Sequence, residues 1–141
     1  MHDIGRSKDQ DKHHIYSREI ILKSKRLKEK IGDDNLDKIA WIAFFHRRKP
    51  DPRKYDDPDW VKLLESSKGS MLLMLISILR IADALDRTTS QVVRNVETKL
   101  DNNSIVFKLE TRGNAFIEIA RAYEKSELFK QVFKKDIVIT E

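Results

Sequence analysis

At 141 residues, with 28 Lys and Arg against 23 Asp and Glu, the chain is long enough to bury one real core and carries a net charge of +5 with a sequence pI near 9.4. Cysteine is absent, which excludes a disulfide framework, a thiolate nucleophile and a Cys-ligated zinc site. The positive balance favours anionic partners such as phosphates, polyphosphate or nucleic acid without choosing among them, and a heavily charged solvated surface would carry the same balance.

With no basic and apolar leader at its start and no targeting motif at its end, the sequence is expected to be soluble and cytoplasmic. His2-Asp3-Ile4-Gly5-Arg6 reads as a helix end, with Gly5 where a C-cap falls and Ser7 to Asp11 as the loop after it. Most of such a helix would precede Met1, as in a piece of a longer protein. From about Lys12 to Leu27, the residues Ile15, Ile20, Ile21, Leu22 and Leu27 define one face of an amphipathic helix that stops before Gly32. A third helix, Leu36 to about Arg47, takes Asp34 or Asn35 as its cap and buries Leu36, Ile39, Ala40, Ile42, Ala43 and Phe44. Pro50, Pro52 and Pro58 forbid a continuous helix or a central strand between them. Asp57-Pro58-Asp59 then starts a short helix, Trp60 to Glu65.

Ser70 to Arg87 is apolar on nearly every face, which predicts a helix buried by others around it. Ser77 and Arg80 interrupt the run, so it is too short for a bilayer span of roughly 20 apolar residues. After Arg87 the pattern changes. Val92 to Leu100 and Ser104 to Thr111 flank the turn Asp101-Asn102-Asn103 and predict a hairpin. Gly113 to Glu124 and Ser126 to Phe133 read as helices, and Ile137 to Thr140 as an edge strand. The expected architecture is mostly α: a helical body over residues 1–90, then a small α+β module of a β-hairpin plus two helices over 91–141, packed on the body as one structural unit.

Adjacent His2 and Asp3 can reach one cavity, and imidazole with carboxylate suits borderline divalent metals. Asp83, between Ala82 and Ala84, offers a second acid on the apolar helix, and His13, His14 and His46 complete the histidines. The set His2, Asp3, His14, His46 and Asp83 is what a one- or two-metal phosphohydrolase site requires, the metal activating a water and clamping phosphate oxygens. Each histidine taken singly reads as readily as a helix cap or a surface group.

Candidate anion-binding residues are Arg47, Arg48 and Lys49 after His46, with Arg80 and Arg87 flanking Asp83, since the planar guanidinium fork suits phosphate. The competing readings are cations favoured at a helix C-terminus and, for Arg80, an ion pair with Asp83 or Asp86. Lys23, Lys25, Arg26, Lys28 and Lys30 have only Tyr16 beside them for base stacking, so they read as a solvated face rather than a nucleic-acid interface. Phe116, Tyr123, Phe129 and Phe133 recur at helical spacing, as core or as a dimer contact.

His2-Asp3-Ile4-Gly5, His13 to Ser17, Phe45-His46-Arg47 and Leu79 to Arg87, with the later Leu128 to Phe133, together resemble the C-terminal HD-type domain of the exopolyphosphatase / guanosine pentaphosphate phosphatase (Ppx/GppA) family. The resemblance runs over nearly the whole chain. It implies an HD-domain-like helical bundle, and a divalent metal (manganese, iron, nickel, zinc or magnesium) as cofactor and otherwise none. It further implies polyphosphate or a phosphorylated nucleotide as partner, no membrane, and a homodimer. HD proteins also use a His upstream of the His-Asp pair, a position that would precede Met1, and Tyr16 stands where many members have His. Full-length members cleave phosphate in an actin-like N-terminal half, of which this chain contains no part, so the resemblance implies kinship with acid anhydride hydrolases rather than that particular active site. The first function expected is a phosphohydrolase-related domain acting on or binding those phosphates. Its rivals are a non-catalytic polyanion-binding or dimerisation module with a degenerate metal site and, more weakly, a nucleic-acid-binding helical domain.

Overall fold

Seven α-helices and a three-stranded sheet make up the computed structural model, which describes residues 1–47 and 51–141, and the mostly helical class with a small sheet is as expected. The chain divides into two units, Met1–Ile76 and Ser77–Glu141, with the boundary inside a helix.

In the first unit a 3-10 turn, Ile4–Ser7, precedes α1 (His13–Leu22), α2 (Lys25–Ile31), α3 (Asp33–Phe45), a second 3-10 turn (Pro52–Lys54) and α4 (Pro58–Glu65). His2-Asp3 therefore opens a tight turn and does not close a helix. Gly5 lies inside that turn, for a steric reason. A Cβ on it would stand 2.3 Å from the carbonyl oxygen of His13 and 2.6 Å from the nitrogen of Ser17, so only glycine lets the turn press against α1. The Gly5 N–H donates to the buried Ser17 Oγ at 2.9 Å, which fixes the contact.

The single helix expected over Lys12 to Leu27 is two, because Ser24 Oγ accepts from Leu27 N–H at 3.3 Å and opens a new first turn. Gly32, at φ 76°, then lets the chain reverse into α3, which starts three residues earlier than expected with Asp33 and Asp34 in its first turn, where carboxylates favour the helix dipole. α4 begins at Pro58, with the Asp57 carboxylate accepting from Asp59 and Trp60 N–H as the sequence predicts.

Two apolar contacts hold α3. Leu36, Ala40 and Ala43 pack with Ile21 of α1, and Trp41 and Phe45 pack in an aromatic cluster with Trp60, the Phe45 and Trp60 rings 4.7 Å apart. Burying each such large side chain contributes roughly 1.5–3 kcal/mol. The Trp60 indole N–H donates to the Pro52 carbonyl, so the cluster leaves that polar group satisfied. Phe45, buried and immobilised, sets where His46 begins.

α5 (Gly69–Leu85) crosses the unit boundary. Burial all round it is not what the structure shows. Leu72, Ile76, Ile81 and Ala84 are buried, while Met71, Met74, Leu75 and Ile78, spaced as one helical stripe, are exposed. Hydrophobicity alone could not tell which stripe would be buried. Among the described residues no helix is long and apolar enough to cross a membrane.

The second unit continues with β1 (Val93–Leu100), β2 (Ser104–Thr111), α6 (Phe116–Lys125), α7 (Glu127–Phe133) and β3 (Asp136–Thr140). The sheet order is β1-β2-β3, with β1 antiparallel and β3 parallel to β2. Alternation decides its faces: Ile105, Phe107 and Leu109 of β2 and Ile137 and Ile139 of β3 are buried with Ile81, Leu85 and Phe129. Of the four spaced aromatics, Phe129 is core and stacks on Phe133 at 4.3 Å, Tyr123 accepts from Ile139 N–H through its hydroxyl oxygen at 2.9 Å, and Phe116 is exposed. Glu118 of α6 ties down the chain after α5, since its Oε1 accepts from Thr88 N–H and Thr88 Oγ1–H at 3.2 and 2.6 Å. Burial raises the pKa of this carboxyl, but the Thr88 hydrogen bonds outweigh it and the net shift is downward.

Candidate metal centre

Three backbone segments of the first unit meet at His13, the first residue of α1. The turn before Gly5 supplies His2 and Asp3, α1 supplies His13, and the end of α3 supplies His46. Asp3 Oδ1 lies 3.1 Å from His13 Nε2 and 3.3 Å from His46 Nε2, and the two imidazole nitrogens are 3.2 Å apart. His2, whose ring meets that of His46 edge-on at 4.8 Å, adds a ligand atom within 4.8 Å of those of Asp3 and His46. His13 and His46 are almost wholly buried, at 2% and 1% exposure.

The other oxygen of Asp3, Oδ2, pairs with Arg6 at 2.8 Å and lies 3.6 Å from His2. This fixes the carboxylate so that Oδ1 points inward. Among the described residues, that buried oxygen accepts no hydrogen bond.

Tautomers follow from the partners on the far side of each ring. His46 Nδ1–H donates to the Ala43 carbonyl at 2.5 Å, so its Nε2 presents a lone pair to the cluster. His13 Nδ1 stands 2.8 Å from both the Gln10 carbonyl and the Arg47 guanidinium. Donating to Gln10 leaves its Nε2 as a second lone pair, whereas accepting from Arg47 places a proton on Nε2 that can satisfy one neighbour only. Either way, more lone pairs converge than protons are available to separate them. A cation is the chemistry that such a donor set fits. Atoms each bound about 2.1 Å from one first-row ion lie roughly 3 to 3.4 Å apart, the spacing of these three.

The carbonyls behind the rings are the outer contacts that hold metal-ligating imidazoles in orientation. Arg47 belongs to this layer. Its Nη1 donates to the carbonyl of Gln10 at 2.5 Å and contacts that of Asp11 at 3.4 Å, binding the loop before α1 to the end of α3. Asp9 shapes the same loop by accepting from Asp11 and Lys12 N–H at 2.7 and 2.8 Å, bonds that pull its pKa below the usual carboxylate value.

The sequence-derived residues fall as follows. His2, Asp3 and His46 come together. His14 is buried and its ring lies against Phe44, centroids 5.3 Å apart. Its neighbour His13, which the ligand set omitted, is the imidazole within bonding distance of Asp3. A signal for it existed in the sequence: His13 and Ser17 are four apart and share one face of α1, and a small polar residue at that spacing leaves room for Gly5. Asp83 lies on α5 in the second unit and pairs with Lys125 Nζ at 2.5 Å. Arg47 supports the cluster rather than presenting a phosphate-binding fork outward, while Arg48 and Lys49 lie outside the described residues. Arg80 is 8% exposed, and burial pushes its guanidinium pKa down, Asp83 and Glu127 partly opposing that shift. Of the candidate anion-binding residues that are described, Arg87 alone is exposed.

The model of the HD domain family matches residues 1–88, which contain every residue of this cluster. The chain belongs to the HD domain family. That family marks a metal-dependent superfamily of phosphohydrolase type, and the His/Asp cluster is where this HD domain has the donors for a metal. No curated protein matches the chain closely enough to be counted a relative.

Proposed function

We propose that this HD domain binds a divalent metal through His2, Asp3, His13 and His46 and acts in phosphohydrolysis of polyphosphate or of phosphorylated nucleotides. The observation that carries the reading is the buried Asp3 oxygen set beside two imidazole nitrogens at 3.1 and 3.3 Å, with no hydrogen bond to it among the described residues. Bound there, a metal of the manganese, iron, nickel, zinc or magnesium group would supply a water acidified toward neutrality and a Lewis acid for a phosphate oxygen.

The chain's own groups set the conditions. Arg6 aims the Asp3 carboxylate, the Ala43 carbonyl accepts from His46 Nδ1–H so that its Nε2 can ligate, the Gln10 carbonyl offers His13 Nδ1–H the same acceptor, and Arg47 keeps the loop bearing Gln10 in place.

The test is metal content by plasma mass spectrometry on tag-free protein purified without chelator, followed by phosphate release from polyphosphate and from nucleoside polyphosphates. About one or two equivalents of metal with metal-dependent phosphate release are expected. Metal without hydrolysis would leave a binding module, and no metal after incubation with excess ions would remove the reading altogether.

A further inference from the structure

β1 is an edge strand with nothing on its outer side among the described residues, and seven of its eight residues are exposed. Its pairing with β2 is interrupted between Val93 and Asn95 and regular from Asn95 to Leu100. Val96, Thr98 and Leu100 lie opposite Leu109, Phe107 and Ile105, all buried, so they belong to the apolar face of the sheet. Yet Val96 is 38% and Leu100 74% exposed. An open groove of about 590 Å³, floored by Ile81, Leu85, Phe107 and Phe133, runs up to Val96 and Thr98. Long exposed edges of this kind are templates for another strand unless charge, proline or a cover blocks them.

The hydrogen-bond phase of the edge is set by the hairpin. Asp101 N–H donates to Ser104 O at 2.9 Å, so Asp101 and Ser104 form a hydrogen-bonded pair and the pairs alternate from there. Lys99 and Glu97 direct their backbone groups to β2. Val96, Thr98 and Leu100 direct theirs outward.

We infer that β1 pairs antiparallel with β1 of a second copy of this chain, centred on Thr98, to make a continuous six-stranded sheet across a two-fold axis. In this register Thr98 faces Thr98, Val96 faces Leu100 twice and Glu97 faces Lys99 twice. Outward-directed backbone groups therefore meet outward-directed ones, apolar side chains meet apolar ones on the groove face, and opposite charges meet on the other face. Shifting the centre by one residue opposes like charges, Glu97 to Glu97 or Lys99 to Lys99. The strand is thus complementary to itself in one register and repelled in those beside it, which is how a sheet edge selects its partner. This inference is independent of the metal centre.

The experiment is sedimentation equilibrium of the full chain over micromolar to sub-millimolar concentrations, with Glu97→Lys, Lys99→Glu, the double exchange Glu97→Lys/Lys99→Glu, and an equimolar mixture of the two single variants. Far-UV circular dichroism checks that each keeps its fold. The native chain is expected to dimerise, and each single variant, which sets like charges opposite twice, to dissociate at least about tenfold more readily. The double exchange and the mixture are both expected to regain native association. A native chain that is monomeric throughout, a dimer indifferent to the single changes, or a double exchange no better than the singles would each overturn the inference.

Discussion

In the first unit the candidate metal centre holds a buried polar atom without a hydrogen bond among the described residues: Asp3 Oδ1, beside the Nε2 atoms of His13 and His46. In the second, the edge strand leaves exposed the apolar side chains of Val96 and Leu100 and the outward backbone groups of β1. A buried donor set without protons between its members costs the fold free energy unless a cation enters, because interior polar groups have no water to turn to. An open strand edge costs little while water solvates it, so its complement is a reversible partner rather than an obligatory one. The contrast teaches that the two regions should respond to different ligands and fail independently.

Asp3→Ala should weaken divalent metal binding by at least about a hundredfold, more than the loss of an outer-layer contact, while helical content and self-association stay native. Metal titration with sedimentation reads both. Self-association lost together with metal would show the two regions to be coupled.

Gly5→Ala should lower stability to chemical denaturation by about 1 to 3 kcal/mol, since the new methyl would collide with backbone at 2.3 Å and push the turn bearing His2 and Asp3 off α1. Metal affinity should fall with it. An unchanged affinity would mean that the turn does not position the ligands.

Arg47→Gln should cost about tenfold in metal affinity, measured by competition with a chromogenic chelator, because the guanidinium that braces Gln10 and His13 is lost while the ligands themselves remain. In the second unit Thr88→Val removes the hydroxyl donor to buried Glu118 and should cost about 1 kcal/mol of stability with metal uptake untouched.

The smallest expected effect concerns pH. Hydrogen bonds from Lys38 and then Lys68 hold the exposed Asp34 carboxyl at about 2, below its usual 3.8. A depressed carboxylate stabilises the fold above its unfolded pKa and loses that contribution as the pH falls toward the folded value. Asp34→Asn should therefore lower stability slightly at neutral pH, the difference fading between about pH 4 and pH 2.

Much of the fold was legible. The Asp57-Pro58 helix start, the hairpin around Asp101 to Asn103 and the returning strand at Ile137 to Thr140 carry local signals strong enough to be read without tertiary context. Misreadings arose where a side chain competes for backbone groups, as Ser24 does in dividing α1 from α2, or where hydrophobicity does not say which face is buried, as on the exposed stripe of α5. Of the proposed ligands, His2, Asp3 and His46 were named from motif and order, and they meet. His13 was passed over for His14, because adjacent histidines on a helix differ only in the direction they face.

By itself, the sequence determined the fold class, the secondary elements from Asp57 onward and the residue types of a metal centre, since these follow from periodicity, capping and ligand chemistry within a few residues of chain. Tertiary structure alone decided which histidine faces Asp3, that Arg47 braces the cluster, and that β1 is left open at the edge. Each of these depends on contacts between segments tens of residues apart, and local sequence does not encode the direction in which such segments meet.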